Sequence, residues 1–336
     1  MSMSKFQSLT YLFVRFRKAI IMHRTSCLAV GAVALLASVT SLSAEAQLLY
    51  VSYSDSRVRV LDSSGTVLKT IGNNFTASEA YGIAFDGTGS MFVATTSTQA
   101  ISKFDKNGNF LTSFGSPTTS NRPIGVAIDS SGNVYTGNMA SSISKFDGNG
   151  AYLSSFGNSY LSIPYGLAFD STGNLYAAGA GIGQIVKFNS AGVFQQVIYG
   201  GGLDPYGIAF DGSGNLYAAN HGTNTIRKYD SSGNFLNSFG TGHLNGPAGL
   251  AFDKGTGNLY VANLGGTDIS EFDSSGSFVK SIGSGIGTPR FIAILPGASA
   301  TPEPAGWAFV GGMSIAGVFA MRRRAGRSVP GKLRTG

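Results

Sequence analysis

Residues 165–178 read YGLAFDSTGNLYAA. Two short apolar runs, 166–169 and 175–178, flank an Asp-x-x-Gly turn at Asp170 and Gly173. The aspartate side chain accepts the amides of such a turn, and glycine supplies the positive φ that closes it, so the block predicts a β-hairpin. The same block recurs as YGIAFDGTGSMFVA from Tyr81, IGVAIDSSGNVYTG from Ile124, YGIAFDGSGNLYAA from Tyr206 and AGLAFDKGTGNLYVA from Ala248. Its first glycines, Gly82, Gly125, Gly166, Gly207 and Gly249, are 43, 41, 41 and 42 residues apart. A period near 42 residues with strand composition points to the blades of a β-propeller.

Each repeat carries four strand signals: an inner strand A (GIAF, 82–85 and 207–210), B (LYAA, 175–178 and 216–219), C (ISKF, 101–104 and 143–146) and D (FLTSF, 110–114). The A–B turns start at Asp86, Asp129, Asp170, Asp211 and, one residue longer, Asp253. The C–D turns start at Asp62, Asp105, Asp147, Asn189, Asp230 and Asp273. Crowding around an axis explains strand A: Gly82 and Ala84 keep one face small, while Ile83 and Phe85 pack between sheets. Residues 48–71 supply B, C and D only, and PRFIAIL (289–295) supplies A only. The expected fold is therefore an all-β, six-bladed propeller of four-stranded antiparallel blades over 47–296. The terminal strands pair with each other, which removes free edges.

Composition agrees. Glycine is 48 of 336 residues and charged residues are 12%, which disfavours long exposed helices; 43% hydrophobic residues exclude a charged disordered chain. The net charge of +7 belongs to the ends. Residues 1–46 hold five Lys/Arg against one acid, and 301–336 six against one, whereas 47–300 hold 13 against 15. A body without a basic excess is not a nucleic-acid binder.

Both ends read as sorting signals. Arg15, Arg17, Lys18 and Arg24 precede the apolar run CLAVGAVALLASV (27–39), and Ala44-Glu45-Ala46 offers small-x-small to a signal peptidase, so 1–46 is expected to be a removed signal peptide. It contains the single cysteine, Cys27, so the body has no disulfide or thiolate site. At the other end Pro302-Glu303-Pro304 closes a linker (297–304). An uncharged run of 17 residues (305–321) follows, then Arg322, Arg323 and Arg324 in a basic tail (322–336). A span of that length followed by arginines places the tail in the cytoplasm and the body outside. The pattern resembles the PEP-CTERM sorting signal, which implies transient inner-membrane anchoring, processing by an exosortase, and delivery to the outer surface or beyond.

The framework P-x-G-I-A-x-D…G-N-x-Y-x-A…I-x-K-F-D…G…F-G resembles the NHL repeat family over 47–296. That resemblance implies a propeller whose relatives bind proteins, RNA or small ligands, with some enzymes among them. Two enzyme families share the framework. In streptogramin B lyases a histidine follows the proline of strand A, with acid and histidine near the end of strand B. Here those slots hold Tyr165, Tyr206 and Arg290, and Asn220 and Asn263, with His221 adjacent. Gluconolactonase-like propellers hold a divalent metal with Glu, Asn and Asp, and the loops here offer Glu79 alone as a glutamate.

No HExxH, phosphate loop or GxSxG elbow occurs. Each turn offers one aspartate, too few oxygens for calcium, so capping is the expected role. No catalytic, metal or cofactor residue is therefore assigned. The D–A and B–C loops are expected to present Tyr81, Tyr165, Tyr206 and Arg290, with Asn138, Asn220, His221 and Asn263, at the channel mouth. Rings and amides suit a surface polysaccharide or a protein ligand. Closure of the top of the core is the alternative role for the tyrosines. The function expected is an exported, non-catalytic binding or scaffold propeller. The alternative is a lyase- or lactonase-type enzyme using His221 with Asp268 or Glu79.

Overall fold

The computed structural model describes residues 47–72, 79–115, 122–199 and 204–299. The expected signal peptide, the sorting motif and the helix and tail that follow it lie outside the described residues.

Among the described residues, twenty-four strands form six four-stranded sheets. Blade I is β4 (Ala80–Phe85), β5 (Met91–Thr95), β6 (Ala100–Phe104) and β7 (Phe110–Phe114). Blade II is β8 (Pro123–Ile128) to β11 (Tyr152–Phe156), and blade III is β12 (Pro164–Phe169) to β15 (Phe194–Tyr199). Blade IV is β16 (Pro205–Phe210) to β19 (Phe235–Phe239), and blade V is β20 (Pro247–Phe252) to β23 (Phe278–Ile282). Blade VI joins the ends: β24 (Pro289–Ser299) is innermost, followed by β1 (Gln47–Tyr53), β2 (Val58–Leu61) and β3 (Val67–Ile71). β24 pairs antiparallel with β1 from Tyr53↔Pro289 to Gln47↔Ser299. The strand thus extends to Ser299, beyond the expected boundary at 296, because Gln47 offers it a partner. Inner strands meet in order around the ring, β4 with β8 through to β24 with β4.

Six buried clusters fill the six inter-blade spaces. Strand B is buried along its whole length in blades I to V, because neighbours cover both its faces. Its aromatic residue crosses to the next blade's strand A: Tyr176 meets Phe210 edge-on at 4.9 Å, and Tyr217 meets Phe252 at 4.8 Å. Such pairs add about 0.5–1.5 kcal/mol beyond area burial. The outermost strands remain exposed, Leu111 and Leu236 among them.

The glycines of strand A are required by close approach. A Cβ on Gly82 would stand 2.5 Å from the Ile124 carbonyl oxygen, and one on Gly166 2.5 Å from that of Tyr206. Gly125 abuts the Tyr165 carbonyl and Gly207 that of Ala248 in the same way. Blade VI departs from the rule, with Phe291 in the glycine slot of β24. There the Ser52 hydroxyl donates to the Tyr81 carbonyl at 2.6 Å and accepts from the Phe291 amide at 3.1 Å, bridging blades VI and I.

The hairpin turns are built alike. Asp211 Oδ1 accepts the amides of Ser213 and Asn215, both at 2.9 Å, while Gly214 at φ 82° donates to the Asp211 carbonyl. Asn189 does the same at 3.0 and 2.9 Å, so the device needs an oxygen and not a charge. Burial alone would raise the Asp129, Asp170 and Asp211 carboxyls. The hydrogen bonds from asparagine side chains and turn amides outweigh it and hold them below the usual carboxylate range.

Two outcomes are expected. Deletion from Pro289 onward leaves blade VI without its inner strand, so thermal unfolding followed by circular dichroism should lose its cooperative transition; full-length melting behaviour would refute ring closure. The lowered carboxyls stabilise the fold above a pH of about 4 and lose that contribution as pH falls through their native values. The melting temperature should be flat from neutral pH to about 5 and drop below about 4. Asp211→Asn should reduce that acid slope.

Candidate functional site

Every inner strand carries a register irregularity at one slot: between Ala80 and Ile83, Pro123 and Gly125, Pro164 and Gly166, Pro205 and Ile208, and Pro247 and Leu250. In blade VI it falls opposite Ser52 and Tyr53 and skips Arg290. A residue at a bulge has no cross-strand partner, and its side chain is re-aimed away from the sheet. The six slots hold Tyr81, Ile124, Tyr165, Tyr206, Ala248 and Arg290. Proline precedes five of them and removes a ladder donor there, and Ala80 precedes the sixth.

Ile124 and Ala248 are buried. The other four side chains, with His221, form a continuous ladder. The Arg290 guanidinium carbon lies 4.1 Å from the centroid of the Tyr81 ring. Tyr81 meets Tyr165 edge-on at 6.3 Å, from blade I to blade III over the slot of Ile124. Tyr165 packs on Tyr206 at 4.2 Å with planes inclined by 34°, and Tyr206 stacks on His221 at 4.2 Å and 15°. Carboxylates flank both ends: Arg290 Nη2 stands 3.7 Å from Glu79 Oε1, and His221 Nδ1 3.6 Å from Asp204 Oδ2. Burial raises the Tyr81, Tyr165 and Tyr206 hydroxyls above their ordinary value, so they stay protonated as donors. Ring faces within the ladder are largely taken up by one another.

The asparagines expected at the mouth are placed differently. Asn138, Asn220 and Asn263 are at most 1% exposed. Asn138 Nδ2 donates to Ser144 Oγ at 3.0 Å and its Oδ1 accepts from Thr136 at 3.1 Å. Asn220 Oδ1 accepts the Asp204 amide at 2.9 Å. Asn263 Oδ1 accepts the Asn245 amide at 3.1 Å, and its Nδ2 donates to Ser270 Oγ at 2.9 Å and Asp268 Oδ1 at 3.0 Å. At the end of strand B an amide is drawn inward to satisfy loop amides and hydroxyls that have no ladder partner. Asn220 and Asn263 each tie a loop to the end of a strand, and Asn138 ties two neighbouring strands.

The acids expected beside His221 are likewise elsewhere, Asp268 on Asn263 and Glu79 beside Arg290. The partner of His221 is Asp204, whose carbonyl also accepts the His221 amide at 3.0 Å. A single 3-10 turn, His221–Thr223, presents the histidine. Asp204 directly precedes Pro205-Tyr206, and that adjacency to a ladder slot was the available signal. His243 stacks on Phe278 at 4.0 Å, away from the ladder.

No group of three or more His, Cys, Asp or Glu side chains that could hold a metal occurs among the described residues. At the other end of the inner strands a cavity of about 930 Å³ is lined by Ala168, Ala209, Phe210, Phe252 and Ile294. Two of its acids, Asp170 and Asp211, cap turns and stand 3.7 and 3.8 Å from Lys187 and Lys228.

The fold and the bulged inner ring define the class as a six-bladed β-propeller. No protein-family model matches the sequence, and no curated protein matches it as a relative. Solved structures of the same fold do. A protein of unknown function from Bacteroides caccae is 16% identical with a TM-score of 0.61, covering 75% of this chain and 99% of that one. A chain of a nidogen/laminin complex is 19% identical with a TM-score of 0.62, covering 74% and 98%. Virginiamycin B lyase from Staphylococcus aureus is 19% identical with a TM-score of 0.52, covering 63% and 73%.

Asn263→Ala should lower stability by about 1–3 kcal/mol, because it strands the Asn245 amide and the Ser270 hydroxyl in a buried place. Denaturant titration checks this. A change within experimental error would mean that these bonds contribute nothing to stability.

Proposed function

We propose that this chain is an exported, non-catalytic binding propeller that engages its ligand over the Arg290–Tyr81–Tyr165–Tyr206–His221 ladder. The ladder itself carries the reading. It brings hydroxyl donors, a cation and an imidazole from four blades to one end of the ring. Mixed edges of that kind favour oriented hydrogen bonding to a polysaccharide or protein surface. Export rests on the sequence pattern of 1–46 and of Pro302-Glu303-Pro304 with Arg322, Arg323 and Arg324. It implies signal peptidase, an exosortase and an inner-membrane-anchored precursor. The nidogen/laminin likeness is one of fold, and it supplies a precedent for protein binding by this architecture.

A second reading, a lyase-type enzyme, draws on the Asp204–His221 pair, since a carboxylate beside an imidazole orients a general base. Against it, the strand A slots hold Tyr165, Tyr206 and Arg290 where the lyases carry histidine, and Tyr206 covers one face of the imidazole.

The double variant Tyr165→Ala, Tyr206→Ala, assayed as full chain against glycan and protein arrays and whole cell surfaces, should lose at least tenfold in binding, about 1.4 kcal/mol. Circular dichroism should stay unchanged. Undiminished binding would sink the ladder as the ligand surface, and turnover of a lactone or streptogramin abolished by His221→Ala would favour the enzyme.

A further inference from the structure

Arg290 presents an unanswered demand for acceptors. Its side chain is 12% exposed, and Nε and Nη1 are buried without a hydrogen-bond partner. Nη2 stands 3.7 Å from Glu79 Oε1, beyond hydrogen-bond reach. The guanidinium carbon lies over the Tyr81 ring. A guanidinium carries five donors and keeps its charge at any accessible pH, so it cannot escape the cost of burial by deprotonating. Donors of this kind that the protein leaves unpaired are completed by water, an ion or a ligand group. Arg122 lies close enough to Tyr81 to act on its hydroxyl electrostatically, adding positive potential on the same side.

We propose that Arg290 receives a carboxylate of the ligand, which displaces the loosely held Glu79; this rests on the ladder being the ligand surface. Either edge of the guanidinium pairs Nη2 with one of the two unsatisfied nitrogens, and a planar carboxylate fits such an edge with two parallel hydrogen bonds. Glu79 shows the direction of entry. Its side chain is 41% exposed and holds the outer side of the guanidinium without bonding to it. A dianionic phosphate or sulfate would meet the Glu79 charge at close range, whereas a monoanionic carboxylate replaces it one for one. Glu79 thus acts as a built-in competitor that keeps the buried cation partly neutralised until an acidic ligand arrives.

The test uses acetate as the probe, with the full chain, at constant ionic strength set by chloride. The melting temperature should rise saturably with acetate, because binding to the native state alone stabilises it. Glu79→Gln should lower the half-saturating concentration roughly fivefold, as expected for removal of a partly exposed ion pair. Arg290→Met should abolish the rise. Arg290→Lys, which keeps the charge and loses the fork, should raise half-saturation about tenfold. Sulfate and phosphate should give no saturable rise.

The proposal is overturned by a wild-type chain and Glu79→Gln that both ignore acetate, which would leave only water in the ring. It is also overturned by an Arg290→Met chain that responds as the wild type does, or by sulfate or phosphate matching acetate. Should Arg290→Met fail to fold, the Glu79→Gln and Arg290→Lys shifts decide alone. The Tyr165→Ala, Tyr206→Ala variant should retain the acetate response. Loss of ligand binding in that variant with no acetate effect in the wild type would sink the carboxylate and leave the ladder standing.

Discussion

The contact between an inner-strand glycine and the carbonyl of the next inner strand is the constraint on which the ring depends. Gly82, Gly125, Gly166, Gly207 and Gly249 each bring one strand's backbone against its neighbour at a distance that excludes a β-carbon. Main chain rather than side chain therefore sets the radius at the axis, and the larger residues Ile83, Leu167, Ile208 and Leu250 are directed between blades. Substituting any of these glycines would push two strands apart, and the displacement would spread to both adjoining cores because interiors are close-packed.

The closing blade solves the same problem with other atoms. Phe291 occupies the glycine slot, so β24 cannot approach β4 as its counterparts approach theirs, and the Ser52 hydroxyl fills the gap with one bond to each strand. Ser52 belongs to β1 and the two strands it ties lie at opposite ends of the chain, 29 and 239 residues away. Closure is thus held by a polar side chain as well as by the β1–β24 pairing. Covalent continuity, which joins strands A and B in the other five blades, is absent between β24 and β1.

The bulge at each inner strand is what converts a structural ring into a presenting surface. It interrupts the pairing of every inner strand at the same slot. The chemistry is then set by which residues fill the slots. Isoleucine and alanine in blades II and V close the core, and tyrosines and arginine in the others stack into a ladder that reaches His221. The tyrosine rings pack on one another across the blades.

Periodicity alone determined the number of blades, the four strands of each, the split blade that joins the ends and the capped turns. These follow from local rules: alternation, an Asp-x-x-Gly hairpin and a spacing that repeats. The four slot residues of the ladder were legible too, since proline precedes three of them and glycine follows three. The tertiary structure decided the rest. Asn138, Asn220 and Asn263 look like surface amides in sequence, yet they turn inward because unpaired loop amides and hydroxyls compete for them. Asp204, not Asp268 or Glu79, meets His221 because a loop and a strand end converge only in the folded ring. The distance across which Tyr81 reaches Tyr165, and the setting of the Arg290 guanidinium between Tyr81 and Glu79, arise from the ring's closure, since a linear repeat carries no information about which side chains face each other across an axis.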